Sequence, residues 1–143
     1  EGHELAVFSA YRSSKTQKLL TQYYLSSLGK AGLAGVAEAG HSEHQLGTTV
    51  DISGKSIGYA GPSQKFGIAP EGKWLENNSY KYGFILSYPQ GKQADTGYIY
   101  EPWHFRYVGI DTARDIFEEK LTIQEYFNLV KGEGYSLEME PEI

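Results

Sequence analysis

Two short segments hold most of the residues able to do chemistry. Ser42-Glu43-His44-Gln45-Leu46-Gly47-Thr48-Thr49-Val50-Asp51 carries an imidazole and a carboxylate seven positions apart, and Glu101-Pro102-Trp103-His104 carries another such pair three apart. Side chains an odd number of positions apart point to opposite faces of a regular strand. His44 and Asp51 therefore converge only if the chain turns between them, and Gly47 offers the place to turn. The three-residue spacing puts Glu101 and His104 on one side of a tight helical turn, which Pro102 stiffens. Two imidazoles and one carboxylate, with a second carboxylate close by, make the ligand count of a catalytic zinc site whose fourth position is open to water. Zinc so held polarises a carbonyl and lowers the pKa of its water to about 7. That chemistry also needs a carboxylate outside the ligand set to move a proton, and a fixed cation to meet negative charge. Glu101 suits the first role. Arg12, just ahead of an expected helix, is the leading candidate for the second, since its forked donors match an oxyanion or a carboxylate.

Other candidates are weaker. His41, three residues before His44, would reach the same ion only on a helical turn, and Asp51 with His104 already completes the set. His3 stands apart from both motifs. Trp103 is expected to pack beneath the site, and Arg106, alternating with His104 along a strand, lies near it or joins an ion pair. The chain has no cysteine, which removes thiolate ligands, thiol catalysis and disulfides together.

The elements that must position these residues read as follows. Residues 4–10 form an apolar strand. Ser14 and Gln17 have capping-box spacing at the head of a helix packing through Leu19, Leu20, Tyr23, Tyr24 and Leu28, which ends in the Gly-rich stretch 29–40. Thr49–Ile52 alternates as a strand. Residues 53–72, rich in Gly, Ser and Pro, make a long loop of the kind that carries function. A helix over 74–82, a strand over 83–88 and a turn at 89–91 follow. Residues 98–100 and 105–108 are further strand candidates. A helix from near Asp111 packs through Ala113, Ile116 and Phe117. The last helix opens on the capping box Thr122-x-x-Glu125 and packs through Ile123, Tyr126, Phe127 and Val130. The tail 133–143 is expected to be loosely held. No repeat or boundary divides the 143 residues, so the expectation is a single α+β domain, 1–143, with a mostly antiparallel central sheet flanked by helices.

Composition narrows the function classes. A net charge of −5 disfavours a nucleic-acid partner. No apolar run approaches the roughly 20 residues that cross a bilayer. The 12 Tyr fit a cleft for sugars or peptides as well as half-buried sheet positions. The chain begins without Met or a signal peptide, and is expected to be an excised or processed domain whose targeting segment is absent.

Ser42-x-His44-x-x-Gly47-x-Thr49-x-Asp51 followed by Glu101-x-x-His104 resembles the metal signature of the VanY-type D-alanyl-D-alanine carboxypeptidases and of the similar LdcB-type L,D-carboxypeptidases of Gram-positive walls. The resemblance extends to Ser9-Ala10-Tyr11-Arg12-Ser13 with Gln17, to Tyr82-Gly83-Phe84-Ile85 and to Tyr100 through Gly109, and so covers roughly residues 5 to 130. It departs at Thr49, where the family usually has Ala, and at Ser87, where a basic residue is common. The resemblance implies the D,D-peptidase fold and a Zn2+ ion held by His44, Asp51 and His104. It implies Glu101 as catalytic base, Arg12 acting on substrate or transition state, and Gln17 and Ser42 lining the pocket. The function it implies is removal of a C-terminal D-alanine from peptidoglycan stem peptides, outside the cytoplasmic membrane, by a protein expected to be monomeric. The competing readings are an endopeptidase or D,D-dipeptidase on the same scaffold, and a wall-binding module without activity; retention of Glu101 beside all three ligands argues against the last.

Overall fold

Alternation along one strand sets the architecture. In β2 (Thr49–Gly54) the side chains of Thr49, Asp51 and Ser53 are buried on one face, while Val50 and Ile52 on the other pack against the apolar cluster of Phe66, Ala69, Leu75, Trp103 and Phe105. The sheet therefore has an oily face and a buried polar face, and polar groups without water must find partners.

The computed structural model describes residues 1–132. Four antiparallel strands, β1 (Leu5–Ser9), β2, β3 (Phe84–Leu86) and β4 (His104–Tyr107), form one sheet in the order β1-β2-β4-β3. Around it lie α1 (Ser14–Leu28), α2 (Pro70–Asn78), the single turn α3 (Gln93–Thr96), α4 (Ile110–Glu118) and α5 (Ile123–Gly132). This is the α+β antiparallel class expected from the sequence. A second apolar cluster, Ile85, Ala113, Ile116 and Ile123, fastens α4 and α5 to the sheet beside β3. Fully burying side chains of the size of Phe66 and Phe105 contributes about 1.5–3 kcal/mol each.

Local chemistry accounts for most element ends. Pro70 opens α2, where its missing N–H costs nothing. At the head of α5, Glu125 N donates to Thr122 Oγ1 at 3.1 Å while Thr122 N donates to Glu125 Oε2 at 2.7 Å, the reciprocal pair of a capping box. Lys92 reaches the same Glu125 at 2.7 Å and so ties α3's lead-in to α5.

Several expectations are corrected. The cap of α1 is Ser13, whose Oγ accepts from Thr16 N at 3.2 Å, so Gln17 takes no part in capping. The helix does not bury an oily stripe: Gln17, 1% exposed, is its one buried residue, and Leu19, Tyr23 and Leu28 face solvent. Residues 98–100 form no strand; β4, which follows them, is already paired on its two sides with β2 and β3. The long loop is shorter than 53–72, because β2 runs to Gly54 and α2 starts at Pro70, with 3-10 turns at Lys55–Ile57 and Gln64–Ile68 between. The expected helix over 74–82 is the second half of α2 followed by a 3-10 turn, Ser79–Tyr82. The tail 133–143 lies outside the described residues.

Thr122→Ala removes half of the capping box and should lower the unfolding free energy by about 1 kcal/mol, read from urea denaturation. An unchanged midpoint would mean that α5 is held by its apolar contacts alone.

Candidate metal centre

The sheet register brings the key side chains together. Ser9 of β1 pairs with Asp51 of β2, and Asp51 pairs with His104 of β4, so the three lie in a row across adjacent strands. A β-bulge between Val7 and Ser9 sets the first of these pairings. His44 comes from outside the sheet, on the 3-10 turn Glu43–Leu46, and Gly47 ends that turn with φ 75°, a left-handed conformation suited to glycine. The chain then reverses into β2. That is the break required for His44 and Asp51 to meet. Glu101 and His104 are joined by a tight turn in which His104 N donates to Glu101 O at 3.0 Å.

The result is a buried trio. One ligand atom from each of His44, Asp51 and His104 falls within 4.8 Å of the others. Asp51 Oδ2 lies 3.1 Å from His44 Nε2, and Asp51 Oδ1 lies 3.1 Å from His104 Nδ1. The two imidazole rings stand perpendicular, with centroids 5.0 Å apart. His44 Nδ1 is 2.6 Å from the carbonyl oxygen of Ala10, which leaves Nε2 for an ion. His104 is engaged through Nε2 by Glu43 at 3.0 Å, which leaves Nδ1. Asp51 Oδ1 is buried with no hydrogen bond aligned on it, an atom that a cation would satisfy. The donor set of two nitrogens and a carboxylate suits zinc.

Around the trio the remaining expected residues gather. Glu101 Oε2 is 3.6 Å from His104 Nδ1, close to the trio but outside it. The backbone of Gly35 crosses directly over Glu101: a Cβ there would sit 3.1 Å from Glu101 Oε1 and 3.2 Å from Ile99. Arg12 Nη2 lies 3.8 Å from Asp51 Oδ2 and also donates to Ser9 Oγ at 2.9 Å. Arg12 N donates to His44 O at 3.1 Å, so Ala10 and Arg12 clamp His44 from both sides. Gln17 accepts from Arg12 Nη1 at 2.9 Å and donates to Ala37 O at 2.6 Å. Both ends of its amide are thus used within the protein. Ser42 is buried and lines the same cavity, about 250 Å³ in volume, together with Arg12, Gln17, Glu101 and Tyr98.

His41 and His3 are exposed and outside the trio; His3 leans on Trp74 instead, with ring centroids 5.9 Å apart. Trp103 belongs to the apolar cluster and also borders the cavity. Glu43, Gly35 and Tyr88, whose ring lies 4.7 Å from that of His104, were not singled out by sequence reasoning. Glu43 does sit between Ser42 and His44 in the motif, but nothing local indicates which partner it faces.

Residues 1–110 match the model of the VanY family, described as D-alanyl-D-alanine carboxypeptidase. The chain belongs to this family. A D-alanyl-D-alanine carboxypeptidase of Enterococcus faecium is 40% identical over 125 residues, covering 87% of this chain. Among solved structures, that of the LdcB L,D-carboxypeptidase superposes with a TM-score of 0.82 at 45% identity, over 89% of this chain and 59% of that one. The D,D-pentapeptidase VanY from a VanB-type vancomycin resistance cassette, solved with Zn(II), superposes with a TM-score of 0.75 at 35% identity, over 89% and 73% of the two chains. The chain spans 37% of the length of the Enterococcus faecium relative and 48% of the Bacillus subtilis (strain 168) relative YodJ.

Electrostatics in this VanY-family site follow from burying charges close together. Burial is the largest influence on Asp51 and works to raise its pKa, yet the two imidazoles beside it prevail and hold it at about 2. Burial also works against the charged form of His104, but Asp51 and Glu43 outweigh it and push its pKa up to about 9. Glu101 moves the other way, up to about 7, because burial disfavours its charge and Asp51 and Glu43 add repulsion that His104 and Arg12 only partly offset.

His104 must release a proton before Nδ1 can ligate, so metal binding competes with that proton. Zinc affinity should rise roughly tenfold per pH unit between pH 7 and about 9, measured by chelator competition. For the metal-free protein the sign reverses. The raised pKa of His104 gives stability present below about 6.5 and lost as pH rises through about 9, so its unfolding free energy should fall over that range.

Proposed function

We propose that this chain is a zinc-dependent carboxypeptidase that removes a C-terminal D-alanine from peptidoglycan stem peptides. It acts outside the cytoplasmic membrane and as a monomer. The observation that carries the reading is the pairing of a His-Asp-His trio with a buried carboxylate, Glu101, 3.6 Å from one ligand nitrogen and outside the trio. His44 through Nε2, Asp51 through a carboxylate oxygen and His104 through Nδ1 would hold the ion. When bound, zinc supplies Lewis acidity, polarising a carbonyl and acidifying a water near neutral pH.

The chain's own residues do the rest. Glu101, with its pKa raised to about 7, accepts a proton from the attacking water and returns it to the nitrogen of the leaving amine. Arg12 is held by Gln17 and Ser9 at its two terminal nitrogens, and its remaining donors meet the peptide's terminal carboxylate and the charge that develops on the carbonyl oxygen. Gln17 acts through Arg12, and Ser42 forms cavity wall. The removal of one residue from a free carboxyl end fits a small cavity with a cation at its wall, and it agrees with the carboxypeptidases to which the chain is similar.

The test is a mass-spectrometric digest of defined muropeptides, with pentapeptide stems ending in D-Ala-D-Ala and tetrapeptide stems ending in D-Ala. Loss of one D-alanine, abolished by a zinc chelator and restored by zinc, is the expected result. No cleavage of either stem by zinc-loaded protein would overturn it. Glu101→Gln should retain zinc while turnover falls about 10²–10⁴-fold; full turnover in that variant would remove Glu101 as the base. Arg12→Lys keeps the charge but loses the fork, and should lower kcat/KM by about tenfold or more, with the loss concentrated on substrates that carry a free terminal carboxylate.

A further inference from the structure

Among the described residues, one largely buried ion pair beside the centre has no part in the reading above. Glu43 Oε2 is 3.0 Å from His104 Nε2, and its other oxygen, Oε1, accepts from Arg106 Nη1 at 2.8 Å. Both side chains are largely buried, Glu43 at 11% and Arg106 at 21% exposure. Arg106 is two residues beyond His104 on β4, so both point to the same face, and it stands opposite Thr49 and Ile85 in the register. Glu43 arrives from the other motif, on the turn that also carries His44. A carboxylate from the first motif is thereby delivered to the far nitrogen of the second motif's imidazole and pinned there by an arginine.

We propose that Glu43, anchored by Arg106, is a positioning residue for the metal: it fixes the orientation and tautomer of His104 so that Nδ1 faces the ion. The inference rests on the metal reading above. An imidazole offers two nitrogens, and the one that ligates is decided by what the other is bonded to. With a carboxylate on Nε2, the proton resides there, Nδ1 keeps its lone pair for the cation, and the ring gains basicity as a ligand. His44 receives the complementary treatment from the carbonyl of Ala10 on its Nδ1. The two histidines thus bind through different nitrogens because their outer partners differ. Arg106 matters because a carboxylate held at both oxygens cannot rotate away from His104. A pair that merely tied the 3-10 turn to β4 would affect folding and leave metal affinity alone.

The distinguishing measurement is zinc affinity, by competition with a chromophoric chelator, together with the visible spectrum of the Co(II)-substituted protein. Neither readout needs a substrate. Glu43→Gln should weaken zinc binding by about 10- to 100-fold and shift the cobalt bands, while the circular dichroism of the metal-free protein stays unchanged. Arg106→Gln should move the affinity in the same direction and by less, and it carries the test alone if Glu43→Gln does not fold. Zinc affinity and cobalt spectrum unchanged in either folded variant would overturn the proposal, as would a loss of thermal stability with affinity unchanged. Failure of the unmodified protein to take up zinc would overturn both this inference and the cofactor reading. Zinc uptake that depends on Glu43, without muropeptide cleavage, would leave this inference standing and remove only the substrate reading.

Discussion

Three carboxylates, Asp51 and Glu101 buried and Glu43 largely so, gather on the polar side of a small sheet, and their charge must be balanced there. Removing ions from water costs several kcal/mol each even after relaxation, so a buried carboxylate persists only with a cation or good donors against it. Arg12 and Arg106 supply two positive charges, one beside Asp51 and one on Glu43. A third is missing. In the metal-free protein it is the proton that His104 holds up to about pH 9, and a divalent ion would occupy the same role with two charges. Glu101, furthest from compensation, responds instead by becoming a weak acid with a pKa of about 7. Its usefulness as a proton carrier and its place in this charge balance have the same origin.

Precision comes from backbone, which is stiffer than side chains. The row Ser9–Asp51–His104 is set by strand register, and a slip of one residue in any of the three strands would turn that strand's member of the row to the opposite face. Off the sheet, His44 is clamped by two main-chain groups flanking Tyr11, so its position and that of Arg12 are mutually dependent. The Gly35 backbone closes over Glu101 at a distance that leaves little room for a side chain, which adds to the burial that makes this carboxyl a weak acid. Groups held by such frames need little reorganisation when charge develops.

Gln17 shows how a family resemblance and a structure can describe one residue differently. The resemblance implies a pocket-lining role, and Gln17 does border the cavity. Its amide, however, is spent at both ends, on Arg12 and on the carbonyl of Ala37. It links the guanidinium to the Ala37 segment, which also lines the cavity, so its influence on a ligand passes through Arg12. The polar core of α1 follows from this: a helix whose one buried side chain is an amide is anchored by hydrogen bonds there, and its leucines stay largely outside.

By itself the sequence pointed to the α+β class, to the capping box at Thr122, and to His44, Asp51, His104, Glu101 and Arg12 as candidates, which the fold brings together around one cavity. The class and the capping box rest on local spacing and residue type, and the candidate residues rest on the two motifs and on the family resemblance that those motifs carry. The turn at Gly47 was legible because an odd spacing demands a break. What only the tertiary structure decided were the relations across chain segments. That Ser13 caps α1 rather than Ser14 and that residues 98–100 join no strand are features of the folded chain, and that Glu43 faces His104 while Arg106 faces Glu43 depends on how the first motif's turn meets β4. Which nitrogen of each histidine is free for an ion was likewise hidden, because a ring's two nitrogens are equivalent in sequence and become distinct only when a carbonyl or a carboxylate from a distant segment takes one of them.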